Sequence, residues 1–269
     1  MLSMNFVTEL RHRCTNYFNG GIKEKICFVH IHKCGGTSIN AAIRQHFLHI
    51  DMRRDRDLIG IDAEASSNAA RSLDHIVDLY RYRQNLLLYF MNIRNTKYIS
   101  GHFFFSEKAF REFHGTYAFI TVLRNPVKRW ISHYFFNRYK KTDFGKIHED
   151  ITTCLKSDFG RHNGSELIQF VGGFSKTGDY TSKEAIDRAK RNLHKFDVVG
   201  CLEYQKDFLN QFENRFGVRL NLGKKNQSPK AESFQKAVIT EEVEDKIRIL
   251  CKPDLALYQY AIKNFVKTS

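Results

Sequence analysis

An alternation of short apolar runs with helical patterns constrains the fold of this 269-residue chain more than any other feature. Such runs, rich in β-branched and aromatic residues and bounded by turn signals, predict buried strands of a parallel sheet. Helical spacing follows three of them, as at Ile39, Ile43 and Phe47 after the first. Strands that alternate with helices define an α/β fold. The predicted strands span residues 26–31, 98–100, 117–123 and 196–201.

The rest of the chain has no repeat and no Pro-, Gly- or Ser-rich linker. The sequence therefore predicts one domain, residues 26–269, preceded by an N-terminal extension of residues 1–25. Six scattered cysteines without a CxxC pair favour reduced, buried thiols over a disulfide scaffold or a zinc site. The charged stretch 50–66 is ambiguous, and further helices are predicted at about 67–93, 145–171, 181–194 and 239–265.

The charge balance points to an anionic partner. Lys and Arg number 43 against 29 Asp and Glu, a net charge of +14, which suits nucleic acid, a phosphorylated cofactor, an acidic polysaccharide or an anionic lipid. No run approaches the roughly 18 apolar residues that span a bilayer, and the N-terminus lacks the apolar core of a signal peptide. We therefore expect a cytoplasmic protein without a transmembrane segment, although an anchor could have preceded the present start.

The segment between the first strand and its helix has the composition of a phosphate-binding loop. Gly35 and Gly36 let the backbone approach a ligand closely, and the helix N-terminus beyond them offers free N–H groups. Lys33 adds a positive charge, and the hydroxyls of Thr37 and Ser38 add donors. It is not a Walker A loop, in which the lysine follows the glycines. The alternative is an ordinary turn in which Thr37 or Ser38 caps the helix.

A second strand-to-helix junction carries an arginine and a serine. Asn125-Pro126 suits the cap and first position of a helix. That places Arg124 at the carboxyl end of a strand, where open α/β sheets bind ligands. Ser132, about two turns into the helix, shares a face with Lys128 and Arg129 and could clamp a second phosphate with Arg124. The alternative is a solvated basic helix.

Together, these two segments resemble the phosphate-binding motifs of sulfotransferases that use 3′-phosphoadenosine 5′-phosphosulfate (PAPS). In that family, a strand-loop-helix with a lysine holds the 5′-phosphosulfate, and a later RxPxxRxxSxY-like segment holds the 3′-phosphate. This sequence matches both, with His32 where proline is usual. Residues 99–103, which include Gly101 and His102, are similar to an element of the carbohydrate branch that contains heparan-sulfate 2-O-sulfotransferase. Residues 226–230 resemble a late loop on the nucleotide side.

The resemblance implies a single α/β domain of the P-loop-like sulfotransferase type. It implies PAPS as co-substrate, no metal and no nucleic-acid partner, and sulfuryl transfer to a hydroxyl, expected on a carbohydrate that can be acidic. His102 would be the catalytic base, and Lys33 would neutralise the leaving group. The cofactor-binding residues that it implies are Lys33, Cys34, Gly35, Gly36, Thr37, Ser38, Arg124 and Ser132.

Several alternatives stay open from sequence. His32 rivals His102 as the base, Glu107 is a further candidate because some relatives use a carboxylate, and His133 is read as facing solvent on its helix. A kinase-like phosphotransferase is a second function, weakened by the misplaced lysine and by the lack of an acidic Mg²⁺ motif. A non-enzymatic polyanion-binding protein is a third, although no nucleic-acid-binding signature is visible.

Overall fold

The computed structural model of this chain is an α/β protein whose central sheet has five parallel strands flanked by helices. It describes residues 4–19, 21–48, 56–73, 78–175, 177–222 and 232–267. The strands are β1 (Lys25–Val29), β2 (Leu58–Ile61), β3 (Tyr98–Gly101), β4 (Tyr117–Leu123) and β5 (Val198–Cys201).

The helices of the described residues cover both faces of this sheet and extend beyond it. They are α1 (Met4–Asn19), α2 (Gly36–Gln45), α3 (Ala63–Arg71), α4 (Leu79–Asn92), α5 (Glu107–Phe113), α6 (Pro126–Tyr139), α7 (Ile151–Lys156), α8 (Asp158–Gly164), α9 (Glu166–Gly172), α10 (Lys183–Leu193), α11 (Gln205–Phe216), α12 (Glu232–Val238), α13 (Glu241–Leu250) and α14 (Lys252–Phe265). A short 3₁₀ turn, Leu202–Tyr204, joins β5 to α11.

The strand order β2-β3-β1-β4-β5 places β1 at the centre. After β1 the chain crosses to β2 and β3 on one side, and β4 and β5 lie on the other. The boundary between β1 and β4 is therefore a topological switch point, and in open α/β sheets ligands bind outside the carboxyl ends of the strands there. Val29 at the end of β1 lies level with Gly101 of β3 and Thr121 of β4, so these three strands end at one edge.

Alternate residues of the strands enter two separate cores, because successive side chains of a strand point to opposite faces. In β1, Cys27 and Val29 pack on the face covered by α4, α9, α10 and α14. Ile26 and Phe28 pack on the other face, against α2 and α11. A third cluster joins α6, α7 and α13 around the buried Trp130. This burial on both faces confirms the predicted parallel sheet.

The sequence left residues 50–66 ambiguous, and the structure places strand β2 within them. Leu58–Ile61 is a four-residue edge strand that contains the exposed Gly60, and glycine weakens strand propensity. Pairing of Leu58 with Tyr98 and of Ile61 with Gly101 holds it in the sheet. The tertiary pairing therefore outweighs the weak local signal.

Two predicted long helices are divided by capping side chains. Residues 67–93 are replaced by α3 and α4, whose first-turn N–H groups donate to the side chains of Asp62 and Asp78. Residues 145–171 become α7, α8 and α9, and Asp150 and Ser157 cap the first two. A side chain that accepts from the first-turn N–H groups starts a new helix at each point.

Helix α1 forms from the predicted N-terminal extension and contacts α2. Asn16 Nδ2 donates to the carbonyl oxygens of Gln45 and Leu48, at 2.6 and 2.9 Å. Within the described ranges, no helix combines the length and apolar character needed to cross a bilayer. Five cysteines are buried and Cys14 is exposed, and all six are free thiols, as expected.

Candidate active site

The loop between β1 and α2 has an unusual backbone. Lys33 adopts a left-handed φ of 61°, the one non-glycine residue to do so in the described chain, and Gly35 has φ 76°. A non-glycine residue in this region is held there by its surroundings, and such strain clusters at functional sites. A Cβ on Gly35 would lie 2.7 Å from Leu202, and one on Gly36 would overlap the His30 ring. Packing within the protein therefore also requires these glycines.

Helix α2 begins at Gly36 with its N-terminus open. Its cap residue is Gly35, which provides no side-chain hydrogen bond. The alternative in which Thr37 or Ser38 caps the helix is therefore wrong, because both residues lie inside its first turn. The first N–H groups of a helix lack intrahelical acceptors and carry the positive end of the dipole. This N-terminus has the features of an anion site.

Arg124 joins the second predicted segment to the first. Its Nη1 donates a 2.9 Å hydrogen bond to the carbonyl oxygen of Lys33. Arg124 directly follows β4, and Asn125 caps α6 by accepting from Lys128 N, as predicted. Within the described residues, no carboxylate forms an ion pair with Arg124 or Lys33. Two cations thus lie at the switch point with no ion-paired carboxylate in the described chain, and the Glu203 carboxylate accepts from the adjacent Asn125 N.

The Lys33 side chain lies against the half-exposed ring of Phe136. Its Nζ is 3.9 Å from the ring centroid, a cation–π contact. Burial, together with the charges of Arg124 and Lys140, lowers the pKa of Lys33 to about 8. Cys34 is fully buried, and burial raises the pKa of its thiol. Cys34 can therefore contribute its backbone to a ligand but no thiolate.

The α6 residues grouped on one face by sequence separate in the structure. Lys128 is exposed, Ser132 is half-buried, and Arg129 is fully buried in an ion pair with Glu166. Ser132 shows no hydrogen bond to Arg124 within the described residues. The prediction that Arg129 shares a face with Lys128 and Ser132 is therefore wrong, because the guanidinium of Arg129 pairs with a buried carboxylate inside the protein.

His102 and His30 lie side by side because they follow paired strand ends. Val29 of β1 is level with Gly101 of β3, and each histidine comes next in its strand. His102 Nδ1 is 2.7 Å from the carbonyl oxygen of His30. A carbonyl oxygen only accepts, so Nδ1 carries the proton and Nε2 keeps its lone pair. That is the tautomer of a base.

Four histidine rings form a continuous series, which we call the histidine stack: His30, His102, His32 and His133. Centroid distances along it are 4.4, 3.7 and 5.3 Å. Burial lowers the pKa of His102 well below 6.5, with smaller contributions from His32 and His30. At neutral pH the ring of His102 is therefore uncharged and able to accept a proton.

Glu166, the first residue of α9, closes the end of the stack. Its carboxylate accepts from His32 Nδ1 and pairs with Arg129, and His133 Nδ1 lies 3.4 Å away. His133 also contacts Asn163 Oδ1 at 2.9 Å. The expectation that His133 faces solvent is therefore wrong, since its side chain is turned toward a buried carboxylate. Burial of Glu166 by itself raises the pKa of its carboxyl, but Arg129, His32 and His133 outweigh this and hold the pKa well below its usual range.

Glu166 and Arg83 are the site residues that sequence reasoning missed, together with the buried ion pair of Arg129. Arg83 of α4 donates to the carbonyl oxygen of His102 at 2.8 Å and to Ser66 Oγ at 2.9 Å. The available signal for Glu166 was its position as a lone acidic residue directly before the mainly apolar run Leu167–Val171, because a buried carboxylate needs a partner. Glu107, the alternative base, instead pairs with Lys195 at the surface.

A cleft runs along α2, from Ser38 near the start of the helix to Gln45 at its end. Its lining residues are Thr8, His12, Ser38, Ala41, Ala42, Gln45 and Asn221. Ser38 therefore connects the loop to an open space between α1 and α2. Residues 226–230, which resemble a nucleotide-side loop, lie outside the described residues.

No protein-family model matches this chain, and the search of curated proteins found no match. Within the described residues, no three or more His, Cys, Asp or Glu side chains are arranged to hold a metal ion. The function must therefore be argued from the site itself.

Proposed function

We propose that this protein is a sulfotransferase of the P-loop-like type, which moves the sulfuryl group of PAPS to an acceptor hydroxyl. The observation that carries the proposal is the 2.9 Å hydrogen bond from Arg124 to the Lys33 carbonyl. It joins the two phosphate-binding segments at the switch point of the sheet, where ligands bind. Two cations there lack a carboxylate partner within the described residues, and an anionic donor would supply one.

The donor's phosphates suit the two segments. The 5′-phosphosulfate would lie at the N-terminus of α2, against Lys33 and the backbone N–H groups there. The 3′-phosphate would lie between Arg124 and Ser132, the second of which is half-buried on the adjoining helix. The nucleoside would occupy the cleft beside Ser38. The proposed donor contacts are Lys33, Cys34 through its backbone, Gly35, Gly36, Thr37, Ser38, Arg124 and Ser132.

The proposed reaction is an in-line displacement at sulfur. The acceptor oxygen forms a bond to sulfur while the bond from sulfur to the 5′-phosphate oxygen breaks. Adenosine 3′,5′-bisphosphate leaves with that electron pair, and Lys33 neutralises its developing charge. Nε2 of His102 takes the hydroxyl proton. His102 lies on the strand next to β1, so base and leaving-group cation approach from neighbouring strand ends.

A carbohydrate is the proposed acceptor, on the basis of the resemblance around His102. The net charge of +14 favours one that is itself acidic, because opposite fields steer association. The expectation of a cytoplasmic enzyme remains part of this proposal.

The test is a calorimetric titration with adenosine 3′,5′-bisphosphate without metal, run beside ATP with Mg²⁺. We expect micromolar binding of the bisphosphate and its loss in Arg124→Ala. Arg111→Ala, which removes the same charge from an exposed position of α5, is the matched control and should bind like the wild type. Binding of ATP with Mg²⁺ alone would favour a phosphotransferase. Absence of both, with steeply salt-dependent heparin binding, would favour a polyanion-binding protein.

A further inference from the structure

A buried acidic residue next to the proposed base has no role in the reaction described so far. Glu166 is 3% exposed and begins α9. One oxygen accepts from His32 Nδ1, and the other pairs with Arg129. Burying a carboxylate is costly unless its hydrogen bonds are satisfied. Its position therefore fixes the groups that satisfy it, and His32 is one of them.

The ring of His32 is held from three sides. Its plane lies 20° from that of His102, with centroids 3.7 Å apart. On its other side His133 is within 14° of parallel. The Phe170 ring presents its edge to His32 at 5.4 Å and to His102 at 6.5 Å. Phe170 lies one helical turn after Glu166, so the same helix supplies both the carboxylate and the aromatic wall.

The proton positions follow from the partners. A carboxylate of low pKa accepts only, so His32 Nδ1 donates to Glu166. His102 Nδ1 donates to the His30 carbonyl oxygen. Each ring is therefore fixed in the tautomer that carries its proton on Nδ1. Since His32 covers one face of His102, a rotation of His32 would release that ring.

We propose that Glu166 and His32 act as a positioning couple for the base His102. The Glu166 carboxylate fixes the orientation of the His32 imidazole. That ring stacks on His102 and so holds in place the imidazole that takes the proton of the substrate hydroxyl. The proposal deepens the function proposed above and rests on it. Neither Glu166 nor His32 touches the reacting atoms.

The charged and titratable groups around His102 are drawn from four elements. They are His30 and His32 after β1, Arg83 on α4, Arg129 and His133 on α6, and Glu166 on α9. Of these, His32 and His30 lower the pKa of His102, and Glu166 raises it. Removal of the His32 charge should therefore raise the pKa of His102, whereas removal of the Glu166 charge should lower it.

Ring NMR titration of the histidines in the ligand-free protein tests this. His32→Phe keeps a buried ring but loses the bond and the charge, so we expect a small rise in the pKa of His102, which should stay well below 6.5 because burial is the main cause of its lowering. Glu166→Gln removes the negative charge, so we expect the highest histidine pKa in the stack to fall by about one unit. Assignment uses His102→Ala. A purely structural role would instead hydrate the site and move both variants toward 6.5.

Transfer kinetics supply the second readout, measured with PAPS and O-desulfated heparin. His32→Asn places an amide N–H where Nδ1 stood, so it keeps the bond to Glu166 without the stacked ring. We expect about a tenfold fall in kcat in this variant and in Glu166→Gln, with bisphosphate affinity within twofold of wild type. The acid limb of the pH profile should move as the NMR titrations do.

Glu242→Gln is the matched control, a surface carboxylate paired with Lys246 at 2.6 Å. It should behave like the wild type in both measurements. Unchanged titration in His32→Phe and Glu166→Gln would overturn the couple. Because the titration needs neither donor nor acceptor, that result is distinct from failure of the wild-type protein to bind the bisphosphate, which would overturn the proposed function.

Discussion

The two sides of the candidate site satisfy their charges in opposite ways. On the phosphate side, Arg124 donates to the carbonyl oxygen of Lys33, and neither side chain forms an ion pair with a carboxylate among the described residues. On the base side, Glu166 is enclosed by Arg129, His32 and His133. One side therefore has positive charge available to an external anion, whereas the other is internally neutralised and rigid.

This difference separates binding from positioning. Free cations at a helix N-terminus can attract and release a charged ligand. A buried, fully paired carboxylate attracts nothing from solvent, because its charge is already compensated. We therefore expect substitutions on the phosphate side to change donor binding and those on the base side to change turnover.

Replacement of the base should have the largest effect. In His102→Ala we expect kcat for transfer from PAPS to fall by roughly 10³-fold, because a general base contributes roughly 10²–10⁴-fold. Bisphosphate affinity in calorimetry should stay within twofold. A comparable loss of affinity would remove the distinction between the two sides.

Lys33→Ala should come next. Loss of one cation at the leaving oxygen is expected to lower kcat about 10²-fold, measured by transfer from radiolabelled PAPS. The fold should be preserved, since Lys33 Nζ contacts only the half-exposed Phe136 ring among the partners described here. Lys33→Arg, which keeps the charge, is the control. Undiminished transfer in the alanine variant would remove the role of Lys33.

The pH dependence of donor binding should approach about tenfold per unit at high pH. Burial lowers the pKa of Lys33 to about 8, so the free protein loses this charge as pH rises through 8. Binding to a phosphate requires the ammonium form and must take up a proton above that pH. We expect bisphosphate affinity to fall about fivefold between pH 8 and 9, and the fall to approach tenfold per unit above that. Lys33→Arg should show no such fall; an identical fall would assign the dependence to another group.

Glu107→Gln should have the smallest effect. This residue is about half exposed and pairs with Lys195 at the surface, and such pairs contribute about 0–1 kcal/mol. We expect transfer rates within twofold of wild type and a melting temperature within about 2 °C. A hundredfold loss of kcat would instead make Glu107 the base and exclude His102 from that role.

Much of the fold follows from local signals. The run 117–123 coincides with β4, and Asn125 and Pro126 start α6 as predicted. The loop of residues 30–35 lies between β1 and α2, as its glycines suggested. In each case the information lies within a few residues, because capping, strand propensity and turn conformation are short-range properties.

The base side could not be predicted in the same way. Glu166 and His32 are 134 residues apart, and nothing local to either indicates the other. The orientation of His133 likewise depends on α9, because a helix position becomes buried only where another element packs on it. Strand β2 is a further case, since its pairing with β3 replaces what its own sequence lacks.

The sequence by itself determined the α/β alternation, the loop with the composition of a phosphate-binding loop, and the placement of Arg124 at a strand end. Each is set by neighbouring residues. Only the tertiary structure decided that β1, β3 and β4 end at one edge of the sheet, where Arg124 bonds to the Lys33 carbonyl and His102 bonds to the His30 carbonyl. It also brought a buried carboxylate to the histidine stack. The physical reason is that strand register and burial come from contacts between distant segments, which no local pattern encodes.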